Sequence, residues 1–64
     1  SWIERALQIA RDRQWQEEVC ALLNMLAVRY LDQAKWQEAR QIAEEGLTIA
    51  QSIGDLELEA QSRN

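Results

Sequence analysis

The side chains in this sequence that could do chemistry are carboxylates and a single thiol, and neither has the neighbours that catalysis needs. Most of the glutamates are spread along the chain with no spacing that gathers them: Glu17, Glu18, Glu38, Glu44, Glu45, Glu57 and Glu59. There is no histidine and no glycine-rich phosphate loop, and no serine or cysteine has an evident base nearby. Asp32, alone in a predicted tight turn, cannot surround a metal ion with oxygen ligands. We therefore expect no enzyme, no metal site and no cofactor.

Cys20 is the only cysteine, so the sequence offers no disulfide. It lies beside an apolar stripe of a predicted helix, where a small buried side chain is a better interpretation than a reactive thiol. A chain of 64 residues buries only about 60% of the surface that its unfolded form exposes. Without disulfides or metals to add stability, the expected source is contact with other protein surface.

The net charge of −4 argues against binding nucleic acid or an anionic membrane through a broad basic surface. No apolar run approaches the roughly 18 residues that span a bilayer, and we expect a soluble, cytoplasmic protein. Three arginines against two acids give residues 1–13 a charge of +1, while four basic against nine acidic residues give residues 14–64 a charge of −5. Two such ends can attract each other head to tail, although solvated helix faces are the simpler explanation.

Apolar residues recur with a helical period throughout the chain. One stripe runs down a helix predicted at residues 16–32 and consists of Val19, Leu23, Leu26, Ala27 and Tyr30. A second stripe runs down a helix predicted at residues 35–53 and consists of Trp36, Ala39, Ala43, Gly46, Leu47 and Ala50. Gln33 and Ala34 leave room only for a tight turn, so the two helices must pack antiparallel.

The two glycines have different predicted roles. Gly46 lies among small residues and costs about 1 kcal/mol of helix propensity, which a close helix crossing would offset. Gly54 followed by Asp55 is typical of a left-handed C-terminal glycine and an N-cap, so one helix should end there and another begin. The resulting prediction is four helices, at residues 2–13, 16–32, 35–53 and 55–63.

An internal repeat appears when the chain is offset by 40 residues. The matching pairs are Leu7 with Leu47, Ile9 with Ile49, Ala10 with Ala50, Ala6 with Gly46, Glu17 with Glu57, and Asn24 with Asn64. The chain, a single domain over residues 1–64, then holds the second helix of one repeat at 1–13, one complete helical hairpin at 16–53, and the start of the next repeat at 55–64.

Residues 23–30, 34–39 and 46–47 resemble a tetratricopeptide repeat. That family's first-helix pattern is met by Leu23, Leu26, Ala27 and Tyr30, and its second-helix pattern by Trp36, Ala39, Ala43 and Gly46. The resemblance implies an all-α fold of antiparallel helical hairpins, stacked as about one and a half repeats of an α-solenoid. Ala34 replaces the family's turn glycine, and the 40-residue period resembles the longer variety found in bacterial regulators and scaffolds.

The resemblance also implies a binding groove, because the first helix of each hairpin in this family lines a concave surface for a partner peptide or helix. Its positions here are Ala21, Asn24, Val28, Leu31 and Asp32, with Gln61 and Asn64 in the next repeat. A helical wheel independently puts the first four opposite the apolar stripe. Asn24 is either a ligand contact, as in the family, or a solvated side chain. Because Val28 and Leu31 stand where a carboxylate clamp needs basic residues, we expect an apolar or helical partner.

The three tryptophans have separate predicted roles. Trp36 occupies the aromatic position behind the turn and is expected in the core. Trp2 and Trp15 lie where neither repeat register demands tryptophan. Each of these two either caps an apolar end or is half exposed at a contact with a partner.

The leading interpretation is a non-catalytic protein–protein interaction module, scaffolding or regulatory. The alternative is a structural self-association module, whose groove and ends are filled by copies of itself. About three repeats are normally needed for independent stability, so we expect a homo-oligomer or a piece of a longer repeat protein. A third interpretation is a four-helix bundle unrelated to repeats, in which Gly46 marks no special crossing.

Overall fold

The computed structural model describes residues 1–62, and this part of the chain contains three α-helices and no strands. α1 spans Trp2–Asp12, α2 spans Gln16–Asp32 and α3 spans Trp36–Ser62. The all-α prediction is confirmed. α2 has the predicted bounds and α1 is one residue shorter than predicted.

Two tight turns with the same geometry connect the helices. Gln14 and Ala34 both have a φ of 58°, which is the left-handed conformation. In both turns the next residue donates its amide hydrogen to the carbonyl five residues back, at 2.9 Å. These bonds are those of a Schellman motif, which satisfies the free carbonyls at a helix C-terminus. Each turn sends the following helix back antiparallel along the one before it.

α2 is the central helix, and its buried face is the predicted one. The apolar core residues are Ile3, Leu7, Ala10, Val19, Leu23, Leu26, Ala27 and Ala39. Leu23 is fully enclosed, at 0% exposure, and Tyr30 at the end of the stripe is partly buried. The core therefore has contributions from all three helices, with α2 supplying half of its members.

α3 crosses α2 closely at Gly46, as predicted. A β-carbon built on Gly46 would lie 3.7 Å from the Leu23 β-carbon. This spacing is ordinary van der Waals contact, so the backbones approach closely while an alanine would still fit. The Cys20 thiol donates to the Gly46 carbonyl across the same contact, at 3.6 Å.

The buried face of α3 differs from the predicted stripe. Ala39 and Gly46 are buried as predicted, but the other predicted members are exposed: Trp36, Ala43, Leu47 and Ala50. Partly buried isoleucines take their place, at Ile42, Ile49 and Ile53. The buried positions then alternate at spacings of three and four residues, which keeps them on one side of the helix. The exposed members lie roughly 70–130° round the helix from the centre of this face.

Trp36 is 64% exposed, so the prediction that it belongs to the core is wrong. It is the first residue of α3, next to the turn. Helix geometry puts it about 110° from the centre of the buried face, so its side chain is directed past α2. The aromatic position of the family's pattern is thus occupied in sequence but does not contribute to the core.

α3 continues through Gly54, so the predicted end of one helix and start of another at this point is wrong. Neither glycine has a positive φ, and nothing lies within 4 Å of a β-carbon built on Gly54. A turn would give up helical hydrogen bonds, and it is favoured only when the following segment packs on something. α3 has 27 residues and α2 has 17, so the C-terminal part of α3 runs past the N-terminal end of α2, and residues 55–62 are exposed. We call residues 55–62 the α3 extension.

Candidate interaction surface

The α2 outward face carries five of the residues that the sequence assigns to a groove. Ala21, Asn24, Val28, Leu31 and Asp32 are all exposed, on the side of α2 away from the core. Val28 is 57% exposed and Leu31 is 47% exposed, although both are large apolar side chains. Their spacing along the helix keeps all five within an arc of about 100°. The structure therefore brings these five residues together on one surface.

Met25 extends this face and was missed by the sequence analysis. It is 43% exposed, and it lies four residues after Ala21 and three before Val28. Residues at those spacings are neighbours on a helix surface, so a helical wheel of α2 predicts that Met25 belongs to this face. The flexible thioether of methionine adapts to irregular partner surfaces, which adds to the apolar character of the face.

A second apolar surface, also missed, lies between α1 and α2. It is a groove of about 340 Å³ lined by Ala6, Ile9, Ala10, Trp15, Glu18, Ala21, Leu22 and Met25. Ile9 is 46% exposed there. Trp2, Ala6 and Ile9 recur at i, i+4 and i+7 along the α1 side, a period that a helical wheel of α1 would have revealed. We call this surface the α1–α2 groove.

The α1 side of the α1–α2 groove is basic. Arg5 lies beside Trp2, Ala6 and Ile9 at one end. At the other end the Arg13 guanidinium lies 5.2 Å from the centre of the Trp15 ring, a cation–π distance. Both arginines belong to α1 or its C-cap, whereas Glu17 and Glu18 lie beside Trp15 at the start of α2, so the positive charge is on the α1 side of the groove. The whole chain, by contrast, has a net charge of −4.

Trp2 and Trp15 are both accessible to a partner, at 60% and 49% exposure. Trp15 is in the turn before α2 and closes one end of the α1–α2 groove. Trp2 lies in the first turn of α1, beside a shallow hollow that Ile9 also lines. Both positions are compatible with the half-exposed alternative, and their contact with a partner stays a prediction.

Of the remaining two predicted groove residues, Gln61 does not join the α2 outward face. Gln61 is exposed on the α3 extension, beyond the end of α2. Asn64 lies outside the described residues. Gln61 lies away from α2 because α3 is one continuous helix. Only a turn at Gly54 would bring residue 61 back alongside α2.

Cys20 is partly buried at the contact between α2 and α3. Its thiol hydrogen is directed to the Gly46 carbonyl, a weak donor on an acceptor at 3.6 Å. This contact gives the side chain a packing role at the closest approach of the two helices. The position of Cys20 is explained by this packing alone.

Other kinds of site receive no support from the described residues. Within residues 1–62, no cluster of three or more His, Cys, Asp or Glu side chains could hold a metal ion. In the same part of the chain, every buried side-chain nitrogen and oxygen has a hydrogen-bond partner. None of the helices described has the length and apolar character needed to cross a membrane.

No family model, curated protein or solved structure matches the chain. Its function is therefore inferred from its own surfaces.

Proposed function

We propose that this chain is a non-catalytic protein–protein interaction module of the tetratricopeptide-like kind. The α2 outward face binds an apolar peptide or helix of a partner protein, in a scaffold or a regulator. The observation that carries this proposal is the exposure of Val28 and Leu31, at 57% and 47%, on a helix whose opposite face already makes the core. Large apolar side chains grouped on an exposed surface mark interaction sites.

The size of the face limits the affinity. Full burial of a valine or leucine side chain contributes about 1.5–3 kcal/mol, so covering the half-exposed part of each contributes about 1 kcal/mol. Val28, Leu31 and Met25 together then contribute a few kcal/mol, which is less than the roughly 4–15 kcal/mol that association costs. Stable binding therefore needs further contacts, and a ligand helix long enough to reach Trp15 or the adjoining groove would supply them.

The polar residues of the face favour the same kind of ligand. Asn24 is exposed between apolar neighbours, where its amide can donate to and accept from a ligand backbone. Asp32 gives the C-terminal end of the face a negative charge, and Glu17 and Glu18 do the same at its N-terminal end. An amphipathic helix with basic residues around an apolar stripe satisfies both features.

Self-association is the second candidate function. The observation that favours it is the α3 extension, whose Leu56 and Leu58 are 61% and 63% exposed. The α3 extension is separate from Val28 and Leu31, because it lies beyond the N-terminal end of α2. Substitutions on one surface can therefore leave the other intact.

The test is a chemical-shift titration of the isotope-labelled chain with a short amphipathic peptide of leucine and lysine, with leucines at helical spacing. We expect shifts concentrated at Ala21, Asn24, Val28 and Leu31, and their loss in Val28→Glu. Gln41→Glu, an exposed change on α3, is the matched control and should bind normally. A peptide of the same composition with leucines in no regular order should bind weakly. Shifts confined to other surfaces, or equal binding by both peptides, would refute the proposal.

A further inference from the structure

We infer that this chain assembles head to tail, with the α3 extension of one copy docked in the α1–α2 groove of a second copy. The groove shares only Ala21 and Met25 with the α2 outward face and does not include Val28 or Leu31, so the inference can be tested separately from the proposed partner binding. Three features of the structure carry it: the continuation of the buried face of α3 into the extension, an internal example of a similar helix crossing, and opposite charge on the two surfaces.

The buried face of α3 does not stop where α2 ends. Its spacing of three and four residues runs through Ile49 and Ile53 and continues to Leu56 and Ala60. Ile49 and Ile53 are partly covered, whereas Leu56 is 61% exposed and Ala60 is exposed. One continuous apolar stripe is therefore covered along α2 and uncovered along the extension. The rest of this stripe packs on neighbouring helices, so a helical surface is what would cover the extension.

The structure contains an example of the packing that would cover it. The start of α2 lies along the middle of α3, where Cys20 and Leu23 contact Gly46. With the 40-residue offset of the sequence, residues 56–62 correspond to residues 16–22, and residues 6–13 correspond to residues 46–53. The extension can thus lie along residues 6–13 in the direction in which the start of α2 lies along α3, but turned about its own axis. Without that rotation Glu59 would be buried at the position of Val19, and Leu56 would be exposed at that of Gln16.

The side chains at the closest point are compatible with this packing. Ala60 corresponds to Cys20 and Ala6 to Gly46, so small residues face each other at the equivalent crossing. Ala6 and Ile9 line the α1–α2 groove, which is open at about 340 Å³. The extension cannot enter the groove of its own copy, because α3 passes straight through Gly54. The occupant that fits is the extension of another copy.

Charge selects this arrangement over a symmetric one. Residues 55–62 contain no basic residue, and the extension begins with the acidic residues Asp55 and Glu57. The groove margin carries Arg5 and Arg13, so extension and groove attract, whereas two extensions repel each other. The contact is smaller than the roughly 800 Å² per partner of a standard interface, so we expect weak, concentration-dependent association that salt weakens further.

A head-to-tail contact makes a prediction that a symmetric contact does not. Each copy offers one groove and one extension, so association continues into longer chains as concentration rises. A copy with a defective groove still offers its extension, and a copy with a defective extension still offers its groove. Mixing the two kinds restores one good contact per pair and no more.

The test measures mass by light scattering from micromolar to millimolar concentration for the parent chain, Ile9→Glu and Leu56→Glu. We expect the parent mass to rise with concentration, and each variant to associate at least about tenfold more weakly. An equimolar mixture of the two variants should form a pair and nothing larger. Leu47→Glu is the matched control, since Leu47 has the same 61% exposure on the opposite side of α3 and should associate like the parent. Helicity by circular dichroism confirms that each variant is folded.

Four results would overturn the inference: a parent chain that stays monomeric, no pairing in the mixture, an Ile9→Glu variant that associates like the parent, or a Leu47→Glu variant that is as defective as Leu56→Glu. Val28→Glu separates this test from that of the proposed function. It removes peptide binding if the α2 outward face is the partner site, and it leaves the mass unchanged if copies associate through the extension.

Discussion

Arg11 in α1 and Glu45 in α3 form an ion pair with an Nη1–Oε2 distance of 2.6 Å, which joins two helices separated in sequence by the whole of α2. The pair raises the pKa of Arg11, chiefly through the side-chain hydrogen bond to Glu45, while burial acts in the opposite direction. The side chains remain 42% and 35% exposed, so water and salt screen their attraction. The ion pair therefore orients α1 against α3 more than it stabilises the fold.

A double-mutant cycle with Arg11→Ala and Glu45→Ala should give a coupling of about 0.2–1 kcal/mol in urea unfolding, decreasing with salt. Because the pKa of Arg11 is raised, its contribution is complete near neutral pH and is lost only as the pH rises through that pKa. The control pair is Arg40–Glu44, one turn apart on α3 at 3.1 Å and more exposed, with an expected coupling below about 0.5 kcal/mol. A coupling well above 1 kcal/mol that persists in molar salt would show that screening has been overestimated.

Glycine in the two left-handed turn positions should stabilise the chain. Ala34 and Gln14 hold a φ of 58°, which costs a residue with a β-carbon about 1–2 kcal/mol. Since glycine also has more freedom to lose on folding, Ala34→Gly and Gln14→Gly should each raise the free energy of unfolding by about 0.5–1 kcal/mol. Gln33→Gly, at a negative φ of −92°, is the control and should lower it. The reverse order, measured by thermal or urea unfolding, would show that these turns are not left-handed.

Small and large substitutions at Gly46 should have opposite effects. An alanine β-carbon would meet Leu23 at 3.7 Å, in ordinary contact, while the helix gains about 0.5–1 kcal/mol of propensity. Gly46→Ala should therefore stabilise the chain, and Gly46→Leu should destabilise it by about 1–3 kcal/mol through overpacking. Urea unfolding of both variants measures the difference. If Gly46→Ala destabilised the chain by more than 1 kcal/mol, the helices would have to cross more closely than the structure shows.

Gly54→Ala tests whether α3 is continuous. In an unbroken helix with open space around Gly54, alanine should raise helicity and stabilise by about 0.5–1 kcal/mol. If Gly54 instead ended a helix with a positive φ, as the repeat pattern predicts, alanine would be strained and stability would fall. Circular dichroism and urea unfolding distinguish the two outcomes by sign.

The sequence predicts the fold best where the apolar period has one interpretation. The α2 stripe is correct because Val19, Leu23 and Leu26 are large and no competing set of residues has the same period. The position of the turn before α3 is correct because only Gln33 and Ala34 separate two long apolar patterns. The five clustered groove residues follow from the same wheel, because the face opposite a core stripe is the exposed one.

The α3 face and the break at Gly54 could not be predicted in the same way. α3 has apolar residues on most of its circumference, and the stripe based on Trp36, Ala43 and Leu47 competes with the isoleucine stripe. Only the direction of approach of α2 decides between them, and that depends on packing in three dimensions. Gly54 is compatible locally with a helix or a turn, so what packs on the following residues determines the outcome.

In the proposed function, the apolar side chains of the α2 outward face bind a partner and contribute little to the stability of the fold. The most direct test measures the free energy of unfolding and the affinity for the leucine–lysine peptide in one variant, Val28→Gln with Leu31→Gln. We predict an unfolding free energy within about 0.5 kcal/mol of the parent and an affinity at least about tenfold lower. The control is Leu26→Ala in the core, expected to destabilise by about 2–5 kcal/mol. A double variant that binds the peptide like the parent, or unfolds as readily as Leu26→Ala, would contradict the claim.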